Sequence, residues 1–129
     1  MEFPVGLKYT KDHEWIELGA NVAKVGVTAY AVEQLGDIVH VDLPKVGDTF
    51  DAGAAFGTIE STKTVSDLYM PIAGKVLEVN KAAIDQPESL QNDPYVKGWL
   101  VKLEVKGAVD AASLLDAKAY ESFVADGSN

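Results

Sequence analysis

The sequence contains no cysteine, no arginine and no long apolar run. Without cysteine the chain can form no disulfide, no thiolate metal site and no thiol nucleophile, so any sulfur chemistry must come from an added group. Without arginine it lacks the side chain that binds phosphate and carboxylate groups bidentately. A membrane-spanning helix needs about 18 or more consecutive apolar residues, and we expect none here.

Positive charge is also scarce. Eleven lysines face 20 aspartates and glutamates, which gives a net charge of -9. Such a chain repels the phosphate backbone of nucleic acids and the surface of anionic lipid bilayers. We therefore expect neither nucleic acid nor membrane among its partners. An acidic surface instead favours encounters with basic patches on other proteins.

The chain is long enough for one domain, predicted over residues 1–129, and its 47% hydrophobic residues are sufficient for one compact core. Its first four residues do not resemble a targeting segment, because no basic region precedes an apolar stretch. We expect a cytoplasmic location if the source is bacterial and the mitochondrial matrix if it is eukaryotic.

Short alternating runs between turn residues predict a mostly β protein. The runs 14–18 and 22–27 form a predicted hairpin, and Thr28 can cap a helix over 29–35 that Gly36 ends. At the C-terminus, Asp110 and Asp116 can each cap a short helix, with Leu115, Ala119 and Phe123 forming a helical stripe. The other predicted strands cover residues 37–43, 54–60, 65–70, 75–80 and 98–105, and residues 82–97 connect two strands with one helical turn.

Lys63 lies at the predicted turn between two of these strands, with small neighbours that leave its ammonium group open. A lysine at a rigid hairpin tip is a suitable attachment point for an acyl cofactor, which would extend an arm on the order of 10–15 Å. Its ordinary pKa makes it a poor nucleophile at neutral pH, so acylation needs an attaching enzyme. The two histidines, His13 and His40, belong to no recognisable metal or catalytic motif, so we expect no metal site and no catalytic activity.

The chain contains a series of motifs in a fixed order: YTKDHEW at 9–15, QLGDIV at 34–39, VDLP at 41–44, ESTK at 60–63, SDLYMPIAGKV at 66–76, Asn80, NDPY at 92–95, GWL at 98–100 and SLLDA at 113–117. Taken together, these segments closely resemble the glycine cleavage H-proteins, and the resemblance covers nearly the whole chain. The segment that contains Lys63 resembles their lipoylation motif, although Thr62 and Thr64 stand where valine and alanine are common.

This resemblance implies a barrel-sandwich hybrid, or hammerhead, of two small antiparallel sheets with short helices. Its core is expected over residues 22–105 and a C-terminal helical segment over residues 110–125. It implies lipoate in amide linkage to Lys63. The implied recognition hairpin for the attaching enzyme comprises Glu60, Ser61 and Thr62.

The resemblance also implies a cleft that receives the loaded arm. A carboxylate there can hold a cationic aminomethyl group by a charge-assisted hydrogen bond. Glu14 and Asp67 are both candidates, and the sequence does not decide between them. His13 is expected to help shape the same cleft.

The implied function is that of a non-catalytic, monomeric shuttle in the glycine cleavage system. The implied partners are glycine decarboxylase (P-protein), aminomethyltransferase (T-protein), dihydrolipoamide dehydrogenase (L-protein) and a lipoate-attaching enzyme. The shuttle carries the aminomethyl group of glycine from the decarboxylase to the aminomethyltransferase, and the reduced arm to the dehydrogenase.

Four alternatives stay open. A biotinyl domain usually has methionines beside the modified lysine, where this chain has threonines, and a lipoyl domain of a 2-oxo acid dehydrogenase complex is normally shorter. A relay that passes octanoyl or lipoyl groups during lipoate assembly is not distinguished by the sequence. An unmodified interaction module is disfavoured by the presence of Lys63.

Overall fold

The computed structural model describes residues 3–107, 109 and 113–126, and consists of short strands with four short helices in the described part. The helices are α1 (Ala29–Leu35), α2 (Lys81–Asp85), α3 (Ser89–Asn92) and α4 (Ala117–Ala125). The strands are β1 (Lys8–Tyr9), β2 (Glu14–Leu18), β3 (Val22–Val27), β4 (Ile38–Asp42), β5 (Thr49–Phe50), β6 (Ala55–Ser61), β7 (Val65–Tyr69), β8 (Gly74–Val79) and β9 (Val101–Val105).

Two antiparallel sheets make up the fold. The larger has six strands in the order β1-β2-β3-β9-β8-β5, and the smaller has three in the order β4-β6-β7. Within the described residues neither sheet closes on itself, so the fold is not a closed barrel. The predicted class, a mostly β fold of two small antiparallel sheets with short helices, is confirmed.

The main core is a single apolar cluster that takes side chains from both sheets. Ile16, Val25 and Leu103 come from the larger sheet, and Val41 and Ile59 come from the smaller one. Side chains alternate between the two faces of a strand, so each sheet contributes one apolar face. Burial of these faces holds the sheets together. A second cluster, mostly aromatic, lies between the N-terminal strands and α4 and contains Leu7, Tyr9, Trp15 and Tyr120.

Helix α1 begins and ends where the sequence predicts. The hydroxyl of Thr28 accepts a hydrogen bond from the backbone N–H of Ala31 at 3.2 Å and so caps the first turn. Gly36 ends the helix with a φ of 81°, a conformation that side-chain-bearing residues rarely adopt. The same glycine lies next to the hairpin that carries Lys63, which makes the helix end part of the candidate site.

The C-terminal prediction is confirmed for the second helix and wrong at Leu115. Helix α4 begins at Ala117 and is capped by Asp116 as predicted, since Asp116 accepts from Ala119 N at 2.8 Å. Leu115, predicted to be helical, forms an isolated β-bridge with Tyr9 through backbone hydrogen bonds. The predicted cap at residue 110 lies outside the described residues.

The predicted stripe on this helix is also wrong in part. Ala119 is exposed and Phe123 is only partly buried, whereas Tyr120 is completely buried in the aromatic cluster. A large aromatic ring covers more apolar surface than alanine, so it determines which face of α4 turns inward.

Two further features went beyond the sequence prediction. The connecting region forms two helices, α2 and α3, where one helical turn was expected. Strands β1 and β5 have two residues each, too short for an alternating pattern. In the part of the chain that the structure describes, no helix is both long and apolar enough to cross a membrane.

Candidate functional site

Lys63 is exposed at the tip of the hairpin formed by β6 and β7. The turn is held by Ser61, whose backbone N–H donates to the carbonyl of Thr64 at 2.8 Å. The Ser61 hydroxyl also accepts from the backbone N–H groups of Lys63 and Thr64, each at 3.2 Å. Its side chain satisfies amides that a turn would otherwise leave to water. The backbone of Lys63 is therefore fixed while its side chain stays open.

The three residues predicted to form a recognition hairpin have different environments. Glu60 and Thr62 are exposed beside Lys63 and are accessible to an attaching enzyme. Ser61 is only 5% exposed, so it supports the turn and offers little surface for recognition. The turn is also fixed from outside, because Thr62 N donates to the carbonyl of Asp37 at 3.0 Å.

Gly36 lies directly beneath the lysine. A Cβ atom at this position would lie 3.0 Å from Cε and 3.4 Å from Nζ of Lys63. Because Gly36 has no side chain, the methylene groups of Lys63 can lie directly over its backbone. Lys63 forms no ion pair with any described residue.

A cleft with a cavity volume of about 260 Å³ adjoins this hairpin. Thr64 and Val65 of the hairpin line it beside Lys63. Its apolar lining includes Val27, Ile59 and Leu68, which suits a hydrocarbon chain. The structure brings Glu14, Asp67 and His13 together in the wall of this cleft, together with Asp12, Ala31, Gln34, Leu35 and Ser66.

Glu14 is the buried carboxyl group of the cleft, with only 2% of its surface exposed. Its Oε2 accepts a hydrogen bond from the backbone N–H of Tyr69 at 2.7 Å, which links β2 of the larger sheet to β7 of the smaller one. Its Oε1 is buried and has no partner among the described residues. Burial raises the pKa of Glu14 to about 8, against the opposing effect of the Tyr69 hydrogen bond. The cleft therefore contains a carboxyl group that an entering cation would ionise.

Asp67 differs from Glu14 in almost every respect. It is exposed on β7, and the hydroxyl of Tyr69 donates to its Oδ2 at 3.4 Å. The negative charge of Asp67 raises the pKa of the Tyr69 hydroxyl. Asp67 is therefore a solvent-exposed carboxylate at the rim of the cleft, whereas Glu14 is a buried carboxyl group in its interior.

His13 completes the cleft wall in an unusual backbone conformation. Its φ of 66° lies in the left-handed region, which places its side chain off the line of the following strand. Nδ1 lies 2.8 Å from the hydroxyl of Tyr120, and Nε2 is buried without a partner among the described residues. Burial lowers the pKa of His13 below its ordinary value of 6.5, so the ring is neutral at pH 7.

Other parts of the molecule offer weaker candidates. His40 is exposed on β4, as expected for a partly solvated strand residue. A larger cavity of about 430 Å³ lies near Lys11, Gly53 and Ile72, but neither Lys63 nor Glu14 lines it. No group of three acidic or histidine side chains that could hold a metal ion occurs among the described residues.

The sequence did not indicate several residues of the site. Gly36 was identified only as a helix end, and Thr28 only as a helix cap. Tyr120 and Phe123 are three residues apart on α4, a spacing that places two aromatic rings side by side. That spacing was the available signal for an aromatic face on α4, but it does not identify His13 as the partner.

An exposed lysine on a fixed hairpin, beside a cleft with apolar walls and a buried carboxyl group, is the arrangement expected of a carrier protein. In such proteins the chain positions a covalently held arm and other proteins supply the chemistry.

The comparisons with known proteins specify the kind of carrier. The model of the family described as glycine cleavage H-protein matches residues 7–127. A glycine cleavage system H protein of Bacteroides thetaiotaomicron is 54% identical over 124 residues, covering 96% of this chain and 98% of the relative. One from Anaeromyxobacter sp. is 48% identical over 124 residues, covering 96% and 97%. The crystal structure of a glycine cleavage system H protein from Mycobacterium marinum superposes with a TM-score of 0.87 at 43% identity, covering 97% of this chain and 99% of that chain.

The chain belongs to the glycine cleavage H-protein family. It is the lipoyl carrier of the glycine cleavage system and acts as a component of that system.

Proposed function

We propose that Lys63 carries lipoate in amide linkage and that the adjoining cleft holds the arm between its partner enzymes. The observation that supports this most directly is the position of Lys63. It is exposed, forms no ion pair with a described residue, and lies beside a cavity of about 260 Å³ that is lined by both apolar and polar side chains. Amide formation removes the lysine charge and so lowers the cost of placing the stem against apolar walls.

The cleft has the polar group that such a cargo requires. Lipoate supplies a disulfide and dithiol pair that takes up the aminomethyl group of glycine and is later reoxidised. The aminomethyl amine is cationic, and Oε1 of Glu14, which has no partner in the described part of the chain, is a buried acceptor in the cleft wall. A charge-assisted hydrogen bond there would satisfy both groups.

We therefore propose Glu14 as the principal anchor of the amine and Asp67 as a contact at the rim. A buried ionic contact excludes water and is stronger than an exposed one, which solvent weakens. His13 shapes the cleft between Glu14 and the C-terminal helix.

Asp67→Asn is the matched comparison for Glu14→Gln, because both changes remove one carboxylate from the same cleft. Glu14→Gln should accelerate loss of the aminomethyl group at least several-fold more than Asp67→Asn does.

The proposed partners are the other proteins of the system and the enzyme that attaches the arm. These are glycine decarboxylase, aminomethyltransferase, dihydrolipoamide dehydrogenase and a lipoate-attaching enzyme, with the chain itself acting as a monomer without catalytic activity. The bacterial relatives favour the cytoplasm among the expected locations.

Residues 1–129 are proposed to form one domain, and the family match over residues 7–127 supports this. The same match disfavours a lipoyl domain of a 2-oxo acid dehydrogenase complex and a biotinyl domain. A relay of octanoyl or lipoyl groups would use the same Lys63.

The test is intact-mass measurement after incubation with lipoate, ATP and a lipoate-attaching enzyme. The native chain should gain one lipoyl group and Lys63→Arg should gain none. A lipoyl adduct on Lys63→Arg, or a native chain that stays unmodified, would overturn the proposal. Exchange of the glycine carboxyl carbon with bicarbonate, measured with glycine decarboxylase, then separates the shuttle from a relay that acts only in lipoate assembly.

A further inference from the structure

A chain of hydrogen bonds connects helix α1 to the cleft through the C-terminal helix. The Thr28 hydroxyl, which caps α1, lies 2.8 Å from the hydroxyl of Tyr120. That hydroxyl lies 2.8 Å from Nδ1 of His13. Thr28 and Tyr120 are both completely buried. Residues from three separate parts of the sequence are thus linked in a row, which ends at the imidazole ring of His13 in the cleft wall.

The donors in this chain can be assigned by counting protons. The Thr28 oxygen already accepts from Ala31 N, and among the described residues the acceptor for its own hydroxyl proton is the Tyr120 oxygen. Thr28 therefore donates to Tyr120, and the Tyr120 hydroxyl is left to donate to Nδ1 of His13. An Nδ1 that accepts carries no proton, so the proton of the neutral ring is on Nε2.

This assignment has a consequence for the cleft. Nε2–H is a buried donor without a partner among the described residues, in a side chain that lines the cavity. Buried polar groups in proteins are nearly always paired, so this N–H needs an acceptor that the described residues do not supply. Glu14 offers an oxygen in the same wall that also has no partner among the described residues. The two groups have different chemistry: a carboxylate binds a cation, whereas an N–H donor needs an acceptor atom with a lone pair.

We propose that Tyr120 is a positioning residue which, with Thr28, fixes the tautomer of His13 so that Nε2–H donates to an uncharged acceptor of the occupant of the cleft. The identity of the occupant rests on the proposed function. On an acyl arm attached to Lys63, the uncharged acceptors are the amide carbonyl oxygen and the sulfur atoms. The protonated amine has no lone pair to offer and is left to Glu14.

The packing of α4 supports a fixed role for Tyr120. Its ring stacks on Tyr9 with centroids 4.8 Å apart and an interplanar angle of 9°. The ring of Phe3 packs against the Tyr120 ring in a T-shaped arrangement, with centroids 4.8 Å apart. Because these contacts hold the ring, its hydroxyl stays at one place relative to His13. The C-terminal helix thereby positions a side chain of the cleft wall, although Tyr120 itself does not line the cleft.

The tautomer is tested on the unmodified chain by ¹⁵N NMR of its histidines. Native His13 should show a pyrrole-type Nε2 and a pyridine-type Nδ1 near pH 7. Tyr120→Phe should give a mixture of both tautomers, or Nδ1–H. Tyr95→Phe is the matched control, because Tyr95 also places a hydroxyl at α1 from a partly buried ring, where it accepts from Ala29 N at 2.9 Å rather than bonding to His13. A protonated Nδ1 in the native chain would overturn the assignment, whether or not Tyr120→Phe folds.

The ligand is tested with two acyl groups on Lys63, octanoyl and lipoyl, each verified by mass. A shift of the His13 Nε2–H resonance with both groups identifies the carbonyl oxygen, and a shift with lipoyl alone identifies sulfur. If neither adduct moves the resonance, Nε2–H serves another purpose, such as a contact with the ring of Tyr30 at 4.8 Å, and the proposal is wrong. Failure to form any adduct would instead contradict the proposed function and leave the tautomer result standing.

Discussion

Glu14 connects the fold to the site at the scale of a single residue. One carboxyl oxygen links the two sheets through Tyr69 N, and the other, in the cleft wall, is unpaired among the residues that the structure describes. A carboxyl group in this position is neutral when the cleft is empty and becomes charged when a cation arrives. The energy required for its ionisation therefore depends on the occupant, which suits the amine-holding role that we propose for it.

The same burial predicts a pH dependence of stability. Because the pKa of Glu14 is about 8 in the folded chain and 4.5 when exposed, its contribution is fully present below pH 4.5 and is lost as the pH rises towards 8. Over that range Glu14 is ionised in the unfolded chain and protonated in the folded chain. The free energy of unfolding therefore falls by up to about 1.4 kcal/mol per pH unit. Glu14→Gln should therefore gain stability relative to the native chain between pH 5 and pH 8.

Urea unfolding of the unmodified chain at a series of pH values measures this difference. Glu60→Gln is the control, since it removes an exposed carboxylate from strand β6 of the smaller sheet. A difference between Glu14→Gln and the native chain that stays constant with pH would show that Glu14 ionises normally in the folded protein.

At the scale of secondary-structure elements, the site depends on where helix α1 ends against the β6–β7 hairpin. Gly36 closes the helix, and the next residue, Asp37, accepts from Thr62 N at 3.0 Å. The stem of Lys63 lies over the glycine. A helix end and a hairpin tip are thus fixed to each other, so the direction of the lysine is set by two elements.

A pair of glycine substitutions separates backbone strain from this contact. Gly36 and Gly47 both have positive φ, 81° and 98°, but only at Gly36 would a Cβ meet Lys63. Gly36→Ala and Gly47→Ala should each lower the free energy of unfolding by roughly 1–3 kcal/mol. Only Gly36→Ala should also slow lipoylation of Lys63 several-fold, as measured by mass against time. Equal lipoylation rates for the two variants would show that the lysine stem does not depend on this space.

The elements that the sequence predicts best are those with local signals. The cap by Thr28, the end at Gly36 and the hairpin around Lys63 each depend on residues a few positions apart. The pairing of His13 with Tyr120 joins residues 107 positions apart, and that of Glu14 with Tyr69 N joins residues 55 apart. No local pattern contains such a contact. The resemblance to the family supplied Glu14, Asp67 and His13 as candidates, while their hydrogen bonds and burial came only from the structure.

At the scale of the whole molecule, the net charge of -9 and the position of the site act together. The hairpin and cleft expose Asp12, Asp37, Glu60 and Asp67 around or beside Lys63. After acylation removes the lysine charge, this face becomes more acidic still. A partner enzyme that receives the arm at a basic entrance would then be approached under electrostatic attraction.

This predicts a salt-dependent encounter with glycine decarboxylase. The Debye length falls from about 30 Å at 0.01 M salt to about 8 Å at 0.15 M, so the KM for the lipoylated chain should rise several-fold over this range while kcat changes little. Two double variants separate local from overall charge. Glu60→Gln/Asp67→Asn and Glu88→Gln/Glu121→Gln each remove two exposed carboxylates, but only the first pair lies at the hairpin and cleft. The first should flatten the salt dependence of KM more than the second. Equal effects would mean that net charge alone guides the encounter, and a KM independent of salt would exclude electrostatic guidance altogether.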